Sequence, residues 1–185
     1  MLAAPGAGKG LHSQRLSAAT GVAHISSGEL LRAEINRETA LGNRLAEYTA
    51  RGDLVPDELI FDVMVPVVVA AVNRTGGYLL DGFPRTMSQA VRAAQIGVEL
   101  DLTSDAVIHL TAPADVLVTR LLDRAAQEGR ADDTAQVIQH RLAVYEKQTK
   151  PLVDYYAERG TLAEADANRS VGEVQADIRS RLNLE

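Results

Sequence analysis

The chain is expected to fold as an α/β domain, a parallel sheet with helices on both faces, and three observations lead there. Short apolar runs alternate with longer helical stretches from end to end. A glycine-rich loop, Pro5-Gly6-Ala7-Gly8-Lys9-Gly10, stands just before a helical stretch near the start. The length, 185 residues, suits one compact domain and is too small for two independent ones, so residues 1–185 are read as a single unit.

The elements follow in order. Strands are expected at His24–Ser26, Tyr78–Leu80, Ala106–Leu110 and Thr161–Ala165. Helices are expected near Gly8–Thr20, Gly28–Asn36, Ala40–Arg51, Asp57–Asn73, Ser88–Ile96, Pro113–Ala126, Thr134–Arg159 and Ser170–Leu182. Gly52 follows one helix, Asp57 opens the next and Gly160 closes the longest, which are ordinary stop and start signals. Strands separated by helices imply right-handed crossovers, and ligands of such sheets bind at the carboxyl ends of the strands. Only Met1 and Leu2 precede Ala3, although a phosphate loop normally hangs from a buried strand. The first strand is therefore expected to be absent or reduced to a stub.

Composition narrows the function classes. Apolar residues make up 46% and aromatics only 4%, so the core must be built from aliphatic side chains. The absence of cysteine excludes disulfides, thiolate metal sites and thiol catalysis. No apolar run reaches the roughly 18 residues of a membrane span. The longest, Val63–Val72, contains Pro66 and reads as a buried helix. The N-terminus lacks a basic region followed by an apolar stretch, so a cytoplasmic location is expected, with no membrane partner. A net charge of −6 argues against a nucleic-acid partner. The 19 cations include only three lysines, Lys9, Lys147 and Lys150. Arginine's planar fork suits phosphate, though codon bias would give the same skew.

Two segments carry chemistry. In the first, Gly6, Gly8 and Gly10 let backbone N–H groups converge on an anion, the next helix presents its N-terminus, and Lys9 reaches toward the outer phosphates. The strict loop pattern fails at both ends, because Ala3 holds the first glycine position and Gly10 the hydroxyl position. In the second, Leu79-Leu80-Asp81-Gly82-Phe83-Pro84-Arg85-Thr86, a carboxylate stands where an apolar strand ends and can orient waters on Mg²⁺. Arg85 is placed to fork a phosphate. A helix cap or surface turn is the bland alternative for Asp81.

The string Asp81-Gly82-Phe83-Pro84-Arg85 after an apolar strand resembles the signature of the adenylate kinases, members of the nucleoside-monophosphate kinase family. His24-Ile25-Ser26-Ser27-Gly28-Glu29-Leu30-Leu31-Arg32 is similar to the start of that family's AMP-binding helices, and Gly52-Asp53-Leu54-Val55-Pro56-Asp57 to their end. Arg120, Arg124, Gly129-Arg130-Ala131-Asp132-Asp133-Thr134 and Arg141 resemble a short lid and its flanks. The resemblance covers nearly the whole chain, from Ala3 to the last helix. It implies the P-loop kinase fold, an AMP-binding arm over 26–55 and a short lid over 123–133. It also implies that the first strand lies at the centre of the sheet, between those ending at Asp81 and Leu110.

The same resemblance implies roles. Gly6, Ala7, Gly8, Lys9, Gly10 and Leu11 would surround the ATP phosphates, with Arg120, Arg124 and Arg169 on the ATP side. Ser27, Arg32, Asp53, Leu54, Val55, Gly82, Phe83, Pro84, Arg85 and Gln89 would hold AMP. Lys9, Arg85, Arg124, Arg130 and Arg141 would supply charge around the transferring phosphoryl group, and Asp81 would hold Mg²⁺ through water. Asp132 and Asp133 would order the lid, Gly129 and Gly52 would be hinge points, and no zinc is expected. Substrates would be ATP, AMP and ADP, and the protein a monomer. Gln89 can donate to and accept from an adenine edge, which favours AMP over UMP or CMP. Three departures from the family pattern stand out: the short first strand, Ala3, expected to strain the loop, and Leu11 in place of a phosphate-contacting hydroxyl, expected to weaken ATP binding. His12 replaces a usual glutamine, and all four histidines are read as structural or surface residues. A catalytically weak nucleotide-binding paralogue, or a kinase for another nucleoside monophosphate, remains the alternative.

Overall fold

The computed structural model describes residues 1–128 and 134–184. The order is β1 (Leu2–Ala3), α1 (Lys9–Thr20), β2 (Ala23–Ser26), α2 (Ser27–Ile35), α3 (Ala40–Arg51), α4 (Asp57–Thr75), β3 (Tyr78–Asp81), α5 (Met87–Glu99), β4 (Val107–Thr111), α6 (Ala114–Glu128), α7 (Ala135–Val144), α8 (Leu152–Glu158), β5 (Leu162–Asp166) and α9 (Val171–Arg181). All strand pairs are parallel. β4 runs between β1 and β5, and β2 pairs with β3. The Met1 nitrogen donates to the Leu80 carbonyl and stitches the two ladders together. The expected stub is thus present between β3 and β4, two residues long.

Helices cover both faces because side chains on a strand alternate. Leu2 joins a cluster with Ala90 of α5 and Leu152 of α8. Its neighbour Ala3 joins a different cluster, with Leu16 of α1, Leu117 of α6 and Val174 and Ile178 of α9. A further core, which includes Leu45, Ile60 and Met64, lies under β2 and β3 and carries α2 and α3. The run Val63–Val72 lies in α4, which continues through Pro66 with Met64 and Ala71 buried.

Two expectations need correction. The stretch from Thr134 to Arg159 is not one helix. α7 passes into a π-helical segment, Tyr145–Thr149, and Pro151 then starts α8. The wider turn brings Thr149 inward, where its hydroxyl donates to the Arg85 carbonyl at 2.8 Å. Ala3 does not strain the loop. It sits in extended backbone paired with Leu110, where glycine has no advantage.

Candidate functional site

The glycine-rich loop leaves β1 and caps α1. Gly8 is the cap residue at φ 86°, and no side chain satisfies the first N–H groups of the helix. Gly6 is also left-handed, at φ 88°, and a Cβ there would lie 2.6 Å from the Leu117 carbonyl oxygen of α6. Both positions therefore require glycine, and the result is a ring of backbone donors suited to phosphate.

Lys9 folds back into this loop, donating to the carbonyls of Ala3 at 3.0 Å and Ala4 at 3.3 Å. The residue as a whole is only partly buried, but its amine is at the enclosed end. Burial, offset in part by Asp81 and reinforced by Arg85, Arg141 and Arg124, pulls the amine down to about 8. Arg85, Arg141 and Arg124 are thus near enough to be felt at the Lys9 amine, with Asp81 as counter-charge. Leu11 is 44% exposed on the first turn of α1 and offers no hydrogen bond there. His12 is buried, with the Gln175 amide of α9 2.9 Å from its Nδ1. It is structural, as expected, and burial together with Arg15 and Arg120 holds it below its ordinary value.

Asp81 closes β3, buried, and a Cβ on Gly10 would come within 3.7 Å of its Oδ2. Burial alone would raise this carboxyl. His24, whose Nε2 lies 3.6 Å away and is too far for a formed hydrogen bond, and the Lys9 and N-terminal ammoniums outweigh it and hold the carboxyl below its ordinary value. Among the described residues no group of three His, Cys, Asp or Glu side chains could hold a metal. A single carboxylate beside a phosphate loop fits Mg²⁺ that keeps most of its waters and arrives with the nucleotide.

Two cavities meet beside this point. The first holds about 620 Å³ of space, part of it open to solvent. Ser27 and Arg32 of α2, the turn Gly52–Val55, Gly82 and Phe83 after β3, and Gln89 of α5 line it. The second is lined by Lys9, Pro84 and Thr149. Arg85, Arg141, Gly52, Leu54 and Gly82 belong to both. Arg85 is anchored by its Nε, which donates to the Gly82 carbonyl at 2.6 Å. The Ser27 hydroxyl, buried, donates to the same carbonyl at 2.8 Å. Gly52 lies so close to α7 that a Cβ there would be 2.7 Å from the Arg141 Cγ.

The fold therefore gathers most of the expected AMP-side residues together with Lys9. Arg120, Arg124 and Arg169 line neither cavity. Arg120 donates to the Ala167 carbonyl at 3.0 Å, and Arg169 is paired with Asp177 of α9 at 2.8 Å. Arg130, Asp132, Asp133 and the hinge Gly129 lie outside the described residues. Asp53 reaches across to α7, with its carboxylate 2.7 Å from His140 and 2.8 Å from Arg51. Sequence reasoning missed three contributors: Tyr145, Thr149 and Asp57. The π-helical turn that places the first two has no simple sequence signal, whereas Asp57 was read as a helix start and as the end of the Gly52–Asp57 motif, with no role at Gln89.

A family model described as adenylate kinase matches residues 1–161. Proteins named adenylate kinase are similar over nearly the whole chain. The one from Kocuria rhizophila is 43% identical, covering 96% of this chain and 94% of the relative. That from Prochlorococcus marinus (strain MIT 9303) is 41% identical, covering 98% and 96%. That from Stenotrophomonas maltophilia (strain R551-3) is 38% identical, covering 96% and 95%.

Proposed function

The chain belongs to the adenylate kinase family, and on that premise we propose that it transfers a phosphoryl group reversibly from ATP to AMP, giving two ADP, where the two cavities meet. The observation that carries this reading is the sharing of Arg85 and Arg141 between a cavity containing Lys9 and a cavity containing Gln89. A group passing between two nucleotides needs cations common to both sites.

Phosphoryl transfer asks little covalent chemistry of the protein and much positioning. Backbone donors of the loop and the start of α1 would hold the ATP phosphates, and Lys9 would exchange its two carbonyl partners for phosphate oxygens. Arg85 and Arg141 would face the shared phosphoryl group, with Arg124 adding charge from the ATP side. Ser27, Arg32, the Asp53–Val55 backbone, Gly82, Phe83 and Gln89 would hold AMP. Asp81 would orient the waters of Mg²⁺, which neutralises phosphate charge when it is bound with ATP. The arm over 26–55 and the lid over 123–133, with Arg130, Asp132 and Asp133, would close to exclude water. Among the described residues no helix is long and apolar enough to cross a membrane. We read the protein as a cytoplasmic monomer, and size-exclusion chromatography with light scattering checks the second part.

The test is a coupled assay with Mg²⁺-ATP and AMP, CMP, UMP or GMP as acceptor. Fast ADP formation is expected with AMP alone. Comparable turnover of UMP or CMP would move the acceptor assignment. A folded protein with no turnover at all would leave only nucleotide binding.

A further inference from the structure

We propose that Asp57 is a specificity-determining positioning residue, holding the Gln89 amide in the one orientation that reads the six-amino edge of adenine and rejects a six-oxo purine. This rests on the reading of the first cavity as an AMP site.

Gln89 is 3% exposed and lines that cavity. Its amide has two fixed partners. The Arg85 backbone N–H donates to Oε1 at 2.8 Å, and Nε2 donates to Asp57 Oδ1 at 2.9 Å. The other oxygen of Asp57 accepts from the Ser88 hydroxyl at 2.6 Å, and that hydroxyl lies 2.9 Å from Thr86 Oγ1. Thr86 caps α5 by accepting from the Gln89 N–H at 3.2 Å. The first residue of α4 and the first turn of α5 are thereby tied together around one side-chain amide.

Such a ring has a direction. Turning the amide over would set Nε2 against the Arg85 N–H, donor against donor, and Oε1 against the Asp57 carboxylate, acceptor against acceptor. Both contacts would be lost inside a buried site, where unmade hydrogen bonds are costly. An amide has two N–H donors and two oxygen lone pairs, so one of each remains for a ligand. Adenine offers an acceptor at N1 and a donor at its six-amino group, which match the remaining N–H and lone pair. Hypoxanthine and guanine offer a donor at N1 and an acceptor at O6, the reverse order. A free glutamine would turn over to suit either base, whereas this one is held. Adenine is then chosen partly by a residue that touches the glutamine and not the base.

The experiment measures kcat/KM for AMP and for IMP in wild type, Asp57→Asn and Ser88→Ala, with thermal melts as a fold check. IMP differs from AMP only at the edge in question. Asparagine keeps the shape of Asp57 but can turn its own amide to donate, which removes one of the two penalties against the flipped glutamine. The AMP-to-IMP ratio is expected to fall about tenfold in Asp57→Asn and less in Ser88→Ala, in the same direction. Equal proportional losses for both acceptors, or an unchanged ratio, would overturn the proposal. If Asp57→Asn melts below the assay temperature, Ser88→Ala decides, and an unchanged ratio there overturns it. Failure of the wild type to use AMP would instead remove the site reading itself, before any variant is compared.

Discussion

At the scale of single residues, the proposed ATP site turns on Lys9 and Leu11. The Lys9 amine titrates near 8 in the free protein. Bound phosphate favours the ammonium, so ATP binding should take up a proton at alkaline pH. Affinity is expected to be level below pH 8 and to weaken above it by up to about tenfold per unit. Calorimetry at pH 8.5 in two buffers of different ionisation enthalpy measures the uptake, and Lys9→Met should abolish it. The stability of the free protein moves the other way: the depressed amine favours the fold more as pH rises from 8 toward the unfolded value of 10.5. Leu11, 44% exposed on the first turn of α1, presents methyl groups where a hydroxyl would help. Leu11→Thr should tighten ATP binding by about tenfold or more, the worth of one hydrogen bond to a charged group, about 1.5–3 kcal/mol. An unchanged dissociation constant would mean that the side chain points clear of the phosphates.

At the scale of elements, a polar contact joins the turn after α3 to α7. Asp53, just after α3, meets His140 at 2.7 Å and Arg51 at 2.8 Å. Hydrogen bonds from Arg51 and then His140 hold its carboxyl below the ordinary 3.8. By the sign of that shift, the contact is present above the ordinary value and is lost as pH falls through the depressed one. Both partners are well exposed, so the contact is weak. Asp53→Ala should raise KM for AMP about two- to fivefold through a looser arm, with kcat less affected. Steady-state kinetics at saturating ATP would read it. The same scale shows where sequence pattern ran out. The expected helix over Thr134–Arg159 ran through Pro151, the breaker that opens α8, and the π-helical turn before it changes hydrogen-bond partners and not composition.

At the scale of the whole molecule, a two-residue strand occupies the middle of the sheet. Leu2 faces α5 and α8, Ala3 faces α1, α6 and α9, and Met1 bridges to Leu80. With so little of the central strand present, its one large side chain should matter more than usual. Leu2, 5% exposed, is expected to cost about 2–4 kcal/mol when replaced by alanine. Urea unfolding followed by circular dichroism would measure this. A loss under about 1 kcal/mol would mean that the neighbouring helices hold the sheet together without it.

Sequence alone determined the alternation of strands and helices, the stub, the loop glycines, and Asp81 and Arg85 at the end of β3. These follow from local rules: alternating polarity, glycine's access to left-handed backbone, and the position of strand ends. Gln89 was also legible as a residue of the proposed AMP cavity, which it lines. Only tertiary structure decided what its amide faces, because Asp57 and Arg85 reach it from separate elements. The same holds for Thr149 against Arg85 and for Asp53 against His140, contacts spanning 64 and 87 positions. Residues so far apart in the chain are brought together by packing, and a hydrogen bond between them leaves no local pattern to read.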